Sequence, residues 1–440
     1  MGVSGDSAQG VLLRAETDPP APPRVPSAHE RRPRRRYLVA TARARDDFQL
    51  PLALAEVDAL AGMVTDFYLP DALARGLGHG RSVVRKWHHP RIPSARISRS
   101  WRAAWIELRK KFVRENDAVT FRAVDRALST RFAAVARRAP AAGLLAYSNY
   151  AHQAFAQVAN TPKVIFQFHP HPDYARAIFE ADYARFPEVR WSFENATDSQ
   201  PRAALDEARL EEWRLADAFL CASGVTARSL RHAGCTAPVH VVPYGIKPGY
   251  TGNARPELKS REVCTFLFVG QGLQRKGLHH LMRAWRRAGL ERARLVVVTS
   301  RLDPGIAPLL EQPGVTVQSR LSNTELRDAF ATANVFVMPS LIEGFGLVFL
   351  EALAAGCFCI GTENTGLPDL DLPSASVDYV EPGMIEALAD TLVAAERRWL
   401  SGELDPAAIA RQAEKFTMER FRVGVRDALA RIEDGLGAAS

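Results

Sequence analysis

Two periods alternate along the chain. Short apolar runs bounded by glycine, proline or a polar turn read as buried strands, and the segments between them repeat apolar residues every third or fourth position, as helices do. In the first half the expected strands are Tyr37–Thr41, Val64–Phe67, Leu144–Asn149, Val164–His169, Asp217–Ala222 and Val239–Val242. In the second half they are Cys264–Val269, Leu295–Thr299, Val315–Gln318, Val335–Met338 and Cys359–Gly361. Helix periods are expected over Leu50–Phe67, Tyr150–Val158, Glu207–Ala216, from near Leu278 onward, and over Arg411–Ile432. Strand followed by helix, repeated, predicts an α/β protein with a parallel doubly wound sheet in each half.

The pattern divides the chain into five parts. Residues 1–36 hold many Pro, Ala, Ser and Arg, with no apolar period, and read as a disordered basic tail. A first α/β domain is expected over 37–250 and a second over 262–410. Between them lies a stretch rich in Pro, Gly and charge from Lys247 onward, with the linker placed at 251–261. The segment 411–435 is expected as a C-terminal helix. At 440 residues the chain has room for two domains of ordinary size.

Composition narrows the class. With 47% hydrophobic and 24% charged residues the chain reads as globular. It shows no apolar run of about 18 residues that would span a bilayer, and no hydrophobic signal core near its start. The five cysteines (Cys221, Cys235, Cys264, Cys357, Cys359) sit mostly inside apolar runs without zinc-type spacing, so buried free thiols and a reducing, cytoplasmic setting are expected. Net charge is +8, yet Arg81–Arg114 alone holds eleven Lys or Arg against one acid, Glu107. Within it, Ser100–Arg114 spaces Trp101, Trp105, Leu108 and Phe112 along one helical face. That face either docks on the domain core or meets an anionic membrane surface or an acidic acceptor; a nucleic-acid surface is the weaker reading of the same charge.

Three segments carry candidate chemistry. Ser340–Glu351 (S-L-I-E-G-F-G-L-V-F-L-E) runs from an apolar strand into a helix stopped near Gly356. Gly344 and Gly346 let bare backbone approach a ligand, and a helix N-terminus favours anions. Glu343 and Glu351 bracket this turn; solvated carboxylates on a plain strand–helix junction are the bland alternative. Gly270-Gln271-Gly272-Leu273-Gln274-Arg275-Lys276-Gly277 follows a strand and precedes a helix, a setting for phosphate binding through amides and cations. His169, in His169-Pro170-His171-Pro172, ends a strand where ligands bind in open α/β sheets, as either a structural or a catalytic group.

Glu343 and Glu351, eight residues apart around Gly-Phe-Gly, resemble the E-x7-E signature of the family-4 retaining glycosyltransferases, the glycosyl transferases group 1 with the GT-B fold. Gly270–Gly277 resembles the same family's G-R-x-x-x-x-K-G element, with Gln271 where Arg is frequent. Leu220–Ser223, Val241–Ile246 and Thr362–Asp369 fall in register with three smaller elements. The match is strong from Cys264 to Asp369, weaker over 145–246 and poor over 37–144, where Ala42–Asp47 replaces a glycine-rich loop.

The resemblance implies two Rossmann-like domains facing across a cleft, with the C-terminal helix crossing back to the first. It implies transfer of a hexose from a nucleotide-diphosphate sugar to a glycan, lipid or small-molecule acceptor, with retention, no cofactor and no metal. By the same analogy Glu351 would bind the ribose. Glu343 with Gly344, Phe345, Gly346 and Leu347 would hold the sugar. Arg275 and Lys276, with Gly270, Gln271 and Gly272, would bind the diphosphate, and His169 would face the anomeric centre. Asp369-Leu370-Asp371 has the form of a metal-binding D-x-D, but in this context it is not expected to bind one. A sugar phosphorylase, a nucleotide-sugar epimerase and a non-catalytic nucleotide-sugar-binding protein are the alternatives on the same fold. The enzyme would work in the cytoplasm, or at the inner face of the membrane if the 81–114 segment touches anionic lipid.

Overall fold

The computed structural model describes residues 31–42, 45–77, 82–109, 117–139, 142–190, 192, 211–247, 249–250, 252 and 254–438. Two parallel sheets organise them. The first comprises β1 (Tyr37–Ala40), β2 (Leu60–Thr65), β3 (Ile97–Arg99), β4 (Gly143–Tyr147), β5 (Lys163–Gln167), β6 (Ala218–Cys221) and β7 (Val239–Val241), in the order β3-β2-β1-β4-β5-β6-β7. The second comprises β8 (Cys264–Val269), β9 (Ala293–Val298), β10 (Val315–Gln318), β11 (Val335–Val337), β12 (Phe358–Thr362) and β13 (Val377–Val380), in the order β10-β9-β8-β11-β12-β13. Strands such as β1, β4, β6 and β12 are buried at every residue. That explains their unbroken apolar runs: helices cover both faces, so no polar alternation is needed.

Strand order reverses between β1 and β4 and again between β8 and β11. Loops leaving neighbouring strands diverge at such a reversal and open a crevice at the strand C-termini. The crevice of the second sheet lies between the loop after β8, which begins at Gly270, and the junction after β11, which holds Glu343. The first sheet places the loop after β1 and the turn after β4 at the equivalent point.

Several elements differ from the sequence expectation. The helix period over Leu50–Phe67 is a helix only at Gln49–Ala55; the chain then turns and β2 begins at Leu60, earlier than Val64. Strands β3 and β13 are too short and mixed to show a period. Glu212–Leu215 forms a short 3-10 turn, and 207–210 of the expected Glu207–Ala216 helix lie outside the described residues. Of the basic tail, 1–30 lies outside them as well. Residues 31–36 are held: Arg31 and Arg34 pair with Asp434, the amides of Arg34 and Arg35 donate to Glu433, and Arg36 pairs with Asp58.

The C-terminal segment is two helices, Pro406–Ala413 and Met418–Ala438. The first is capped by Asp405 with Pro406 at its first turn. At the break Thr417 bridges Ile246. A Cβ on Gly245 would lie 2.2 Å from the Thr417 carbonyl carbon, so only glycine lets the two segments meet. The second helix then packs on the first domain, where Arg422 and Arg426 pair with Glu56 and Glu433 accepts from the Tyr37 hydroxyl.

Candidate active site

The site at the second switch point is built around one carboxylate. Glu343 is 6% exposed and its Oε1 accepts from Lys276 Nζ at 2.8 Å and Arg275 Nη1 at 2.5 Å. Burial alone would raise its pKa, but the charges and hydrogen bonds of Arg275 and Lys276 outweigh that and hold it below the ordinary carboxylate value. Local structure brings the three together. Gly277 takes a left-handed φ of 68°, and a Cβ there would meet the Pro339 carbonyl oxygen at 1.9 Å. The Arg275–Lys276 turn is thereby pressed onto the end of β11. The Leu341 amide donates to the Arg275 carbonyl, and the Glu343 amide donates to that of Asn364.

Gly346 is also left-handed, with φ 89°, and starts the helix Leu347–Ala354 without a capping side chain. Gly356, at φ 75°, follows the end of that helix. The ring of Phe345 is turned inward, 4% exposed, against Tyr244 at 5.7 Å and against Gly366. Phe345 therefore offers a ligand only its backbone, and Leu347 lies partly buried against the core. Glu351 is one helical turn past Leu347. Burial raises its pKa, with Lys247 opposing, and Tyr250 feels its charge.

The expectation for the glycine loop needs correcting. The Gly270 amide donates to the Val298 carbonyl, and that of Gly272 to Arg301 and Thr299 Oγ1. These donors are already used within the fold and are not offered to a phosphate. A Cβ at Gly272 would come within 2.5 Å of Leu302, so this glycine serves packing. Gln271, at the tip, is exposed. The cationic part of the loop is left to Arg275 and Lys276.

The first domain covers this site. A Cβ on Gly344 would fall 1.9 Å from the Phe168 carbonyl oxygen and 3.4 Å from the His169 Cα, so Gly344 is where the two domains touch. His169, two residues past β5, is exposed, with its ring 4.2 Å from that of Phe168. Beside it, Ser223 Oγ donates to the Gly344 carbonyl at 2.5 Å, and the Gly224 amide donates to Asp369 Oδ2 at 2.8 Å. Burial pushes the Asp369 carboxyl up to about 6. One Asp369 oxygen is thus taken by the N-terminus of the helix Gly224–His232.

Three features were missed by sequence reasoning. The loop after β1 holds Asp46, Asp47 and Phe48 in left-handed conformations, with φ of 50°, 52° and 62°. Asp46 accepts from the hydroxyls of Tyr147 (2.9 Å) and Tyr244 (2.6 Å), and burial raises its pKa. Arg45 stacks 4.1 Å over the Phe168 ring. Strained non-glycine backbone at a switch point is a mark of function, and Asp-Asp after a strand was the available signal. The second feature is a polar clamp between domains: Asp182 on the helix Pro172–Arg185 accepts from His279 (3.0 Å), His280 (2.7 Å) and Gln274 (2.8 Å). These three acid and imidazole groups are the set among the described residues with metal-ligand spacing. Both carboxylate oxygens already take hydrogen bonds and the outer Nδ1 atoms of both rings lack partners, whereas a ligating imidazole ordinarily donates its second nitrogen; the geometry is that of a hydrogen-bonded latch. Third, Ser223 and Asp369 join the domains at the site itself. A separate cavity lined by Thr265, Arg294, Gln318, Glu325 and Asp328 shares none of these residues.

Comparison with known proteins bears on the fold and on the second domain. Residues 263–396 match the model of the glycosyl transferases group 1. Over 161 residues the chain is 29% identical to an MMP alpha-(1->4)-mannosyltransferase of Mycolicibacterium hassiacum, covering 35% of this chain and 38% of that one. Over 205 residues it is 28% identical to an alpha-maltose-1-phosphate synthase of Mycobacterium tuberculosis, covering 42% and 50%. The chain thus spans half or less of the length of these relatives. Among solved structures, sucrose-phosphate synthase of Thermosynechococcus elongatus aligns with a TM-score of 0.56 at 20% identity, over 92% of this chain and 100% of that one. An alpha,alpha-trehalose-phosphate synthase of Burkholderia vietnamiensis gives 0.57 at 15% identity, over 92% and 99%. The two-sheet fold is thus that of the GT-B type, and residues 263–396 of its second domain match the glycosyl transferases group 1.

Proposed function

We propose that the protein is a retaining, metal-independent glycosyltransferase of family 4. It moves a hexose from a nucleotide-diphosphate sugar to a glycan, lipid or small-molecule acceptor. The observation that carries this reading is Glu343 held between Arg275 and Lys276 at the β8/β11 switch point, directly beneath Phe168 and His169 of the other domain. The two cations would pass from Glu343 to the donor's diphosphate and neutralise the charge that develops on it as the glycosidic bond breaks. Glu343, relieved of them, would turn to the sugar hydroxyls along with the amides of Gly344–Gly346. Glu351 would accept from the ribose hydroxyls, and His169 would face the anomeric carbon from the acceptor side. Names of relatives support the class, since several are hexosyltransferases or sugar-phosphate synthases. All five cysteines are buried free thiols, which fits a cytoplasmic enzyme.

Nuclear magnetic resonance of the product formed from donor and an acceptor panel tests the proposal. A new glycoside with the donor's anomeric configuration supports it. Inversion, or epimerised donor in the absence of acceptor, would refute it in favour of another GT-B chemistry.

A further inference from the structure

The helix Trp101–Arg109 has its faces reversed relative to an ordinary surface helix. Trp101 is 68% exposed, Trp105 64% and Leu108 46%, while Ala103 is the residue buried against the domain. Steps of four and three residues place the three large side chains on one stripe. Arg102 and Arg109 are also exposed, and the helical step puts both along one border of the stripe. Phe121, on the neighbouring helix Asp117–Ala136, is 46% exposed, and Leu73 and Leu77 on the helix Asp71–Leu77 are 56% and 44% exposed. Half of the large apolar side chains exposed among the described residues therefore fall within residues 71–121. An aromatic stripe this bare has an occupant outside the domain core.

Charge selects the occupant. The stretch Arg81–Arg114 carries a net charge of about +10, more than the whole chain's +8. The acid nearest in sequence before it, Asp71, is taken up by His88 and Ser94. Tryptophan beside arginine suits the boundary of a bilayer, where the ring sits among headgroups and the guanidinium meets lipid phosphate. Position agrees: Trp101 follows β3 after one residue, so the stripe begins at the strand C-terminal rim on which the cleft opens.

We propose that Trp101, Trp105 and Leu108, bordered by Arg102 and Arg109, form a docking surface for an anionic lipid bilayer, which holds the mouth of the cleft at the membrane. No helix among the described residues is long and apolar enough to cross a membrane, so this contact is peripheral. The inference is independent of the glycosyl-transfer reading, because lipid partitioning is measured without donor or acceptor.

The test is co-sedimentation of the full chain with large unilamellar vesicles of phosphatidylcholine, with and without about 30% phosphatidylglycerol. Wild type is expected to partition into the anionic vesicles and to be released by roughly 0.5 M salt, which shortens the screening length. Trp101→Ser with Trp105→Ser should cut partitioning by about tenfold or more while leaving the circular dichroism spectrum and melting temperature unchanged. Arg102→Glu with Arg109→Glu should remove the preference for anionic over neutral vesicles. Wild type that ignores anionic vesicles, or a double tryptophan variant that partitions like wild type, would overturn the proposal; another segment of the chain or a protein partner would then cover the stripe.

Discussion

Replacing Glu343 by Gln separates nucleotide binding from catalysis. The side chains of Glu343, Lys276 and Arg275 are only 8%, 14% and 22% exposed. Removing the carboxylate charge leaves two cations facing each other largely out of water. Breaking such a buried arrangement from one side costs on the order of 3 kcal/mol. For a domain of this size that lowers the melting temperature by about 6–12 °C. The pH dependence has a definite sign. Because Glu343 titrates below its ordinary value of 4.5 in the folded protein, its contribution is complete above pH 4.5 and is lost as pH falls through the depressed value. The wild type should therefore lose stability in acid over a window where Glu343→Gln does not. A nucleoside diphosphate supplies the missing anion, so Glu343→Gln is expected to bind it at least as tightly as wild type, while turnover falls by about 100-fold or more through loss of the sugar contact. Calorimetric titration with the diphosphate, alongside differential scanning calorimetry without ligand, reads both effects. An unchanged melting temperature, or diphosphate affinity weakened tenfold, would refute the exchange of cations between Glu343 and the donor.

Three further outcomes follow from the contacts between domains. Gly344→Ala places a methyl 1.9 Å from the Phe168 carbonyl oxygen, so it should hold the domains apart, enlarging the radius seen by small-angle X-ray scattering and lowering turnover at least tenfold; an unchanged radius and rate would contradict the contact. Burial, followed by the neighbouring His280, holds His279 down to about 4; its contribution is complete above its ordinary 6.5 and is lost as pH falls from there through about 4. Scattering should accordingly show the domains loosening across that window and Asp182→Asn loosening them at neutral pH, whereas identical profiles throughout would count against the latch. Asp46→Asn leaves the Tyr147 and Tyr244 hydroxyls with a neutral acceptor and removes the charge beside Arg45; turnover should fall about tenfold with nucleotide affinity intact, and an equal loss in nucleotide affinity would contradict a role for Asp46 apart from the nucleotide.

Legibility in the sequence followed burial and local chemistry. β8 has the bounds read from its apolar run, since a strand covered on both faces cannot hide among polar residues; the exposed β10 keeps its expected bounds as well, and the helix at Leu278 starts where Gly277 must turn left-handed. That Glu343, Arg275 and Lys276 sit in the turns after β11 and β8 was legible, because glycines fix those turns. What was not legible depends on residues distant in the sequence. Gly270 and Gly272 look like phosphate donors until Val298, Thr299 and Arg301 arrive to use their amides. Phe345 faces a core formed partly by Tyr244, about a hundred residues earlier in the chain. The Asp182 latch joins residues almost a hundred positions apart, and no local period marks it. The outward face of Trp101–Arg109 could not be read either, because an amphipathic pattern gives a stripe without saying which way it points.

The most direct test of the donor site is calorimetric titration of a panel of nucleoside diphosphates against the wild type and Glu351→Ala. The account predicts that one base binds selectively to the wild type and about tenfold or more weakly to the variant, while inorganic pyrophosphate binds both alike. No binding by any nucleotide, or equal nucleotide affinity in the two proteins, would contradict the placement of a donor site at the β8/β11 switch point.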